Sequence, residues 1–140
     1  MLFDRKNDTE VRIMISPQAQ TNSDTAIVSG IIDLQGCRAA TVNLILGGVT
    51  DTDVTAVGLL EHGDNAALSD AATVPAADLI DGPTTALNFI ATDDNKVKRV
   101  GYRGSKRYLR LTVTPTGNNS GTISLAATVS LGVQYKDPVA

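Results

Sequence analysis

The residues able to do catalytic chemistry are few in this chain. It contains one histidine, His62, and one cysteine, Cys37. A Ser-His-Asp or Cys-His site needs histidine as its proton carrier, and His62 has no motif-like Ser or Cys beside it. We therefore interpret His62 as an exposed loop residue. A zinc site needs several His or Cys ligands, and a disulfide within the chain needs two cysteines. The sequence thus predicts no catalytic residues, no metal site and no enzyme.

Acidic clusters offer oxygen ligands at three places: Asp51-Thr52-Asp53, the stretch from Asp64 to Asp70, and Asp93-Asp94-Asn95. None has the fixed spacing, central glycine and closing glutamate of an EF-hand. Asp and Asn also favour turns, because their side chains bond to the nearby backbone. We predict turn formation rather than calcium binding. Gly-rich phosphate loops are absent, so no cofactor is expected.

The charges are unevenly distributed along the sequence. The net charge is only −3. Eleven acids and one base, Arg38, lie between residues 13 and 94, whereas residues 95–110 carry seven bases and no acid. Such asymmetry points to a basic surface that meets an acidic one.

The elements that position these charges are predicted to be β-strands. From Ile123 to Tyr135 every odd residue is apolar and every even residue is small or polar. This period of two indicates one buried face and one exposed face of a long strand. Shorter candidate strands, separated by turn-rich pieces, are residues 10–15, 25–32, 41–46, 54–60 and 85–91, together with two β-rich runs on either side of Gly104-Ser105. Val11, Ile13 and Ile15 would share the buried face of the first. A short helix could begin at Pro75.

About eight antiparallel strands at this spacing predict an all-β, jelly-roll-like β-sandwich. A length of 140 residues suits one domain, so we expect a single domain over residues 1–140. Residues 1–8 and 136–140 lack a core pattern and are predicted to be an N-terminal arm and a C-terminal tail. No signal peptide or membrane span is visible, so we expect synthesis in the cytoplasm and no membrane partner.

The basic stretch is predicted to form a hairpin around Gly104-Ser105, with Arg99 opposite Arg110 and Arg103 opposite Lys106. Val100, Leu109, Leu111 and Val113 would then face the core. Like charges in opposition destabilise a sheet, so they require compensation. The predicted partner-binding residues on the other face are Arg99, Arg103, Lys106, Tyr108 and Arg110.

Three explanations of this basic face stay open. The chain's own acids, such as Asp93 and Asp94, could neutralise it. Alternatively, it could dock on an acidic patch of another subunit. Nucleic acid is the third, and least favoured, partner: Tyr108 resembles a base-stacking platform, but the pI is about 4.9. We therefore expect no nucleic-acid partner.

Three runs of the sequence resemble small head proteins of tailed bacteriophages. They are residues 25–33, residues 60–70, and the stretch from Ala91 to Arg110, followed by the long C-terminal strand. The chain resembles capsid cement (decoration) proteins of short-tailed phages, those of Bordetella included. Those proteins often end in a His-containing tail, whereas this chain has Tyr135-Lys136-Asp137-Pro138.

That resemblance implies a jelly-roll virion protein on the outer surface of an icosahedral capsid. It implies that the major capsid protein is the partner, that neighbouring capsid subunits are cemented together, and that the protein forms a homo-oligomer, with a dimer favoured over a trimer. The alternative function is a binding module of a phage tail or a receptor-attachment device.

Overall fold

A computed structural model describes residues 6–133, with only the backbone described for Val133. These residues form eleven strands and two 3₁₀ helices, Ala76–Asp78 and Ala91–Asp93. The strands are β1 (Thr9–Thr21), β2 (Ile27–Val28), β3 (Ile32–Asp33), β4 (Cys37–Val49), β5 (Thr55–Gly63), β6 (Ala72–Thr73), β7 (Leu79–Ile80), β8 (Phe89–Ile90), β9 (Val97–Tyr102), β10 (Tyr108–Thr116) and β11 (Thr122–Val133).

Two antiparallel sheets make up the fold. The five-stranded sheet has the order β1-β11-β4-β9-β7. The six-stranded sheet has the order β2-β10-β5-β6, with β3 also paired to β10 and β8 also paired to β5. The chain is thus all-β and forms a sandwich, as the sequence predicts. There are eleven strands rather than about eight, because five of them are only two residues long and leave no periodic pattern.

The core lies between the two sheets and is mainly aliphatic. The predicted inward residues of β11, Ile123, Leu125, Ala127, Val129 and Leu131, are all buried. The predicted core residues Val100, Leu109, Leu111 and Val113 are buried as well. Val133 and Tyr135, the last members of the alternating pattern, lie outside the residues whose side chains are described, as do residues 1–5 of the predicted arm and the tail 136–140.

The predicted hairpin around Gly104-Ser105 is wrong. Strand β9 pairs with β4 and β7 in the five-stranded sheet, whereas β10 pairs with β2, β3 and β5 in the six-stranded sheet. Arg99 lies opposite Asn43, and Arg110 lies opposite Glu61. The core residues were assigned correctly because the two strands face each other across the core instead of lying side by side.

Strand β1 also departs from prediction. Val11 and Ile13 are 61% and 62% exposed, whereas Met14 and Ile15 are both buried. The register with β11 shifts between Ile13 and Ile15 and again before Gln18. A bulge inserts an extra residue and thereby changes the face on which the following side chains lie. The register shift between Ile13 and Ile15 places Ile15 in the core, whereas Val11 and Ile13 point outward.

Candidate partner-binding surface

The five predicted partner-binding residues do not share one face. Arg99 lies on the outer side of the five-stranded sheet, and Arg103 and Lys106 lie in the loop between β9 and β10. Tyr108 and Arg110 lie on β10, in the six-stranded sheet. The expectation of one continuous basic face is therefore corrected, because the loop crosses from one sheet to the other.

Arg110 is neutralised inside the chain. Its Nε and Nη2 donate to the Glu61 carboxylate at 3.1 and 2.8 Å, across the register between β10 and β5. Tyr108, at the start of the same strand, lies under the Arg107 guanidinium, 5.1 Å from the ring centroid. That cation–π contact covers one side of the ring that sequence analysis considered for base stacking.

The loop's own cations meet acids far away in the sequence. Lys106 Nζ lies 2.6 Å from Asp64, and Arg107 donates two hydrogen bonds of 2.9 Å to Asp33. The Arg107 guanidinium, with the backbone N–H of Gln35, lowers the pKa of Asp33 to about 2. These pairs attach the loop to the β3–β4 turn and to the end of β5.

Asp93, one of the acids considered for neutralising the predicted basic face, pairs with two lysines that were not among the predicted face residues. Its carboxylate lies 3.0 Å from both Lys96 Nζ and Lys98 Nζ. Burial raises the pKa of Asp93, but hydrogen bonds from Lys98, the Ile90 N–H and Lys96 outweigh it and lower the pKa to about 2. Internal pairing thus accounts for five of the seven bases in residues 95–110: Lys96, Lys98, Lys106, Arg107 and Arg110.

Two of the seven, Arg99 and Arg103, have no carboxylate partner among the described residues. Arg103 Nε donates to the carbonyl of Ala77 at 2.9 Å, and both guanidinium groups are exposed. Arg38, the isolated base of the acidic half, is also exposed and meets no carboxylate in the described chain. The three line one depression.

This depression, the basic groove, has a volume of about 1130 Å³. It lies between the β3–β4 turn, the β9–β10 loop and the adjoining parts of β4, β7 and β9. Its cationic lining residues are Arg38, Arg99, Arg103, Lys106 and Arg107, and the one acidic lining residue is Asp81. A concave surface of one charge focuses the electrostatic field and attracts groups of opposite charge.

A buried tyrosine holds the loop that forms one side of this groove. Tyr102 Oη lies 2.9 Å from His62 Nδ1 on β5 and accepts the Lys106 N–H at 3.2 Å. A Cβ at Gly104 would collide with the Tyr102 ring, so the loop requires glycine there. His62 is only 7% exposed, which corrects the expectation of an exposed loop histidine. Its contact with Tyr102 links the two sheets.

The outer side of the five-stranded sheet forms what we call the flat face, which overlaps the basic groove at Thr41, Ile80, Arg99 and Gly101. Exposed apolar residues lie on β1, β4, β7 and β9, with small or polar side chains between them. Arg99 is the only charged side chain in the register rows that define the face. The apolar members are Val11, Ile13, Ile45, Ile80 and Val97, and the small or polar members are Thr41, Asn43, Gly101, Ala126, Thr128 and Ser130.

The polar groups at the centre of the flat face already have partners. Asn43 Nδ2 donates to Ser130 Oγ at 3.2 Å and lies 3.4 Å from both Thr128 Oγ1 and the Thr41 carbonyl. A polar group that keeps its hydrogen bonds costs little to bury. Another protein could therefore cover this face without leaving the Asn43 amide nitrogen unpaired.

Arg38 was not among the predicted site residues, and the flat face as a whole was not predicted from the sequence. Arg38 is the only base between residues 13 and 94, which was its one signal. The small, polar even positions of β11 predicted the centre of the flat face. Val11 and Ile13 were assigned to the core, so its apolar rim was not apparent.

The predicted turn function of the acidic clusters is confirmed. The Asp51 carboxylate accepts the N–H groups of Asn119 and Ser120, and the Ser120 N–H contributes most to holding the pKa of Asp51 below its usual range. Asp70 accepts from the N–H groups of Asp64 and Asn65. Within residues 6–133, no group of three or more His, Cys, Asp or Glu residues is placed to hold a metal ion. The same residues contain no helix long and apolar enough to span a membrane.

Comparison with known proteins reveals similarity in structure alone. No family model matches the chain, and no curated protein matches its sequence. Among solved structures, PBSX exported protein XepA is 18% identical with a TM-score of 0.55, over 94% of this chain and 39% of XepA. The two therefore share a fold, and this chain spans less than half of XepA.

Two further structures resemble the chain more distantly. SPBc2 prophage-derived protein YomS is 8% identical with a TM-score of 0.49, over 93% of this chain and 99% of YomS. A protein of Bacillus endospore appendages, described as disulfide-linked pili, is 11% identical with a TM-score of 0.41, over 96% of this chain and 99% of its own.

Proposed function

We propose that this chain is a structural protein of a phage virion that binds other protein and does no catalysis. Its specific role in this proposal is cementing: it binds the outer surface of an icosahedral capsid and holds neighbouring major capsid subunits together. The phage origin rests on the sequence resemblance, and the fold shared with the phage-derived protein XepA supports it.

The flat face is the observation that carries the proposal. Five exposed Val and Ile side chains on one sheet surface exceed the scattered apolar residues that a soluble surface normally shows. The centre of the face is uncharged apart from Arg99, and depletion of charge is typical of the core of a protein interface. These properties suit contact with another protein better than permanent contact with water.

The size of the flat face fits a site that is used many times on one particle. The four longer strands, about 4.8 Å apart and roughly 20 Å long over the shared rows, give about 400 Å² on this side. A stable interface buries about 800 Å² per partner, so the face alone suits a weak contact. Repetition over a shell, and self-association as a dimer or a trimer, would add avidity.

The second candidate is a binding module of a phage tail or of a receptor-attachment device. The name of XepA favours it to some degree, since it describes an exported protein rather than a head protein. Both candidates need a protein-binding face, so the flat face alone does not distinguish between them.

Fractionation of particles distinguishes the two candidates. Heads prepared from a mutant phage that makes no tails should retain this chain in a fixed ratio to the major capsid protein. The chain should also be accessible to added protease or antibody, since it lies on the outer surface. If it is absent from tail-free heads but present in free tails, the cementing role is wrong and the tail module is favoured.

A further inference from the structure

We propose that the basic groove binds an extended acidic peptide segment of the partner protein, with Arg38, Arg99 and Arg103 contacting its carboxylates. This inference deepens the proposed function, because it rests on the chain docking on another protein. It adds the chemistry that the partner must present, namely carboxylate side chains on a strand-like or loop segment.

Charge complementarity is the first argument. Lys106 and Arg107 already pair with Asp64 and Asp33, but Arg38, Arg99 and Arg103 meet no carboxylate among the described residues. The chain is net negative, so three such guanidinium groups in one groove are not explained by a generally basic surface. Guanidinium groups bind carboxylates through two parallel hydrogen bonds, which gives both affinity and orientation.

The shape and lining of the groove are the second argument. A volume of about 1130 Å³ accommodates several residues of an extended chain but exceeds what a single small ion needs. Leu34, Cys37 and Ile80 provide apolar lining between the cations. A peptide that alternates acidic and apolar side chains therefore matches the groove.

Preorganisation is the third argument. The β9–β10 loop is held by the Tyr102–His62 and Tyr102–Lys106 hydrogen bonds, and the Arg103 N–H donates to the Asp78 carbonyl at 2.9 Å. The two ion pairs fix the loop's other end. A loop that is already ordered loses little conformational freedom when its partner binds.

Nucleic acid fits the groove less well than an acidic peptide. Binding of single strands uses exposed aromatic rings as stacking platforms. Tyr102, the aromatic side chain that lines the groove, is only 4% exposed, and Tyr108 lies outside it on the six-stranded sheet. The groove thus offers cations but no stacking surface.

Fluorescence anisotropy with a labelled octapeptide of alternating Glu and Ala tests the inference on the intact chain. We expect saturable binding that weakens as salt increases, whereas a Lys–Ala octapeptide should not bind. The double variant Arg38→Gln with Arg99→Gln should bind about ten-fold more weakly, as loss of two exposed ion pairs implies. Lys96→Gln, which removes one positive charge outside the groove, should bind like the wild type.

Several outcomes would overturn the inference. These are no saturable binding of the acidic peptide, equal binding by the double variant, or tighter binding of a single-stranded oligonucleotide of the same charge. Circular dichroism checks the fold of the variants, and both substituted arginines have exposed side chains that form no hydrogen bond with the described residues.

Binding to purified heads separates this inference from the proposed function. If a flat-face variant loses head binding while the groove double variant keeps it, the groove inference fails and the function stands. If the chain does not bind heads at all, the proposed cementing role fails, and the peptide titration still decides what the groove binds.

Discussion

At the scale of single residues, Tyr102 determines the shape of the proposed site. It belongs to the five-stranded sheet, and its hydroxyl bonds His62 of the six-stranded sheet and the backbone of the crossing loop. A Gly-Ser pair between two β-rich runs normally indicates a hairpin. Here the buried tyrosine redirects the chain across the core, and the sequence gives no local sign of that long-range contact.

We expect Tyr102→Phe to lower the free energy of unfolding by about 1–3 kcal/mol, because His62 Nδ1 and the Lys106 N–H both lose a buried partner. Urea unfolding measures this change. Tyr108→Phe is the matched control, since the Tyr108 hydroxyl bonds no described residue, and it should unfold like the wild type. Equal stability of the two variants would contradict the role given to Tyr102.

The pairing of charges is also a matter of single residues, and only part of it was predictable. The sequence has an excess of acids up to residue 94 and of bases in residues 95–110, which predicted that the chain's own acids could pair with these bases. The individual partners were not predictable, because Lys106–Asp64, Arg110–Glu61 and Arg107–Asp33 join residues 42, 49 and 74 positions apart. Such contacts depend on which strands become neighbours.

At the scale of elements, strands β11 and β1 show where periodicity works and where it fails. Strand β11 keeps its alternation from Ile123 to Leu131, so its inner and outer faces were predicted correctly. Strand β1 contains two register shifts relative to β11. Strict alternation of side chains ignores these shifts and therefore assigns Val11 and Ile13 to the wrong face. Bulges depend on pairing with the neighbouring strand, so a single sequence does not reveal them.

Asp93 makes the junction between the second 3₁₀ helix and β9 sensitive to acid. Its pKa is about 2 in the folded chain, against 3.8 for an unperturbed carboxyl group. Because the folded pKa is the lower one, the stabilisation is complete above about pH 5 and is lost as the pH falls toward 2.

We therefore expect the free energy of unfolding of the wild type to fall between pH 5 and pH 2. In Asp93→Asn this fall should be smaller by about 1–2 kcal/mol. Chemical denaturation at several pH values measures it. Asp94→Asn, at the neighbouring exposed position, should retain the full dependence. If Asp93→Asn and the wild type lose stability in parallel as the pH falls, the ion pairs of Asp93 do not contribute as described.

At the scale of the whole molecule, the sandwich separates two surfaces of different character. The outer side of the six-stranded sheet carries the paired charges Arg110 and Glu61, together with exposed Val28, Val57 and Ile90. The flat face of the five-stranded sheet is nearly uncharged and overlaps the basic groove. We therefore propose that the partner binds the five-stranded side and that the six-stranded side faces solvent.

Two valines provide a matched test of that assignment. Val97 on the flat face is 58% exposed and Val57 on the opposite sheet is 54% exposed, and both lie in strands. Replacing either with aspartate should cost similarly little stability, because both side chains already contact water. Only Val97→Asp places a charge in the proposed interface, where burying it without a partner is unfavourable.

The decisive measurement is binding of the two variants to purified tail-free heads from which the chain has been removed. The account predicts that Val57→Asp rebinds like the wild type and that Val97→Asp binds at least about ten-fold more weakly, as a penalty of 1.4 kcal/mol or more requires. Equal binding by the two variants, or loss of binding by Val57→Asp alone, would contradict the claim that the flat face is the docking surface.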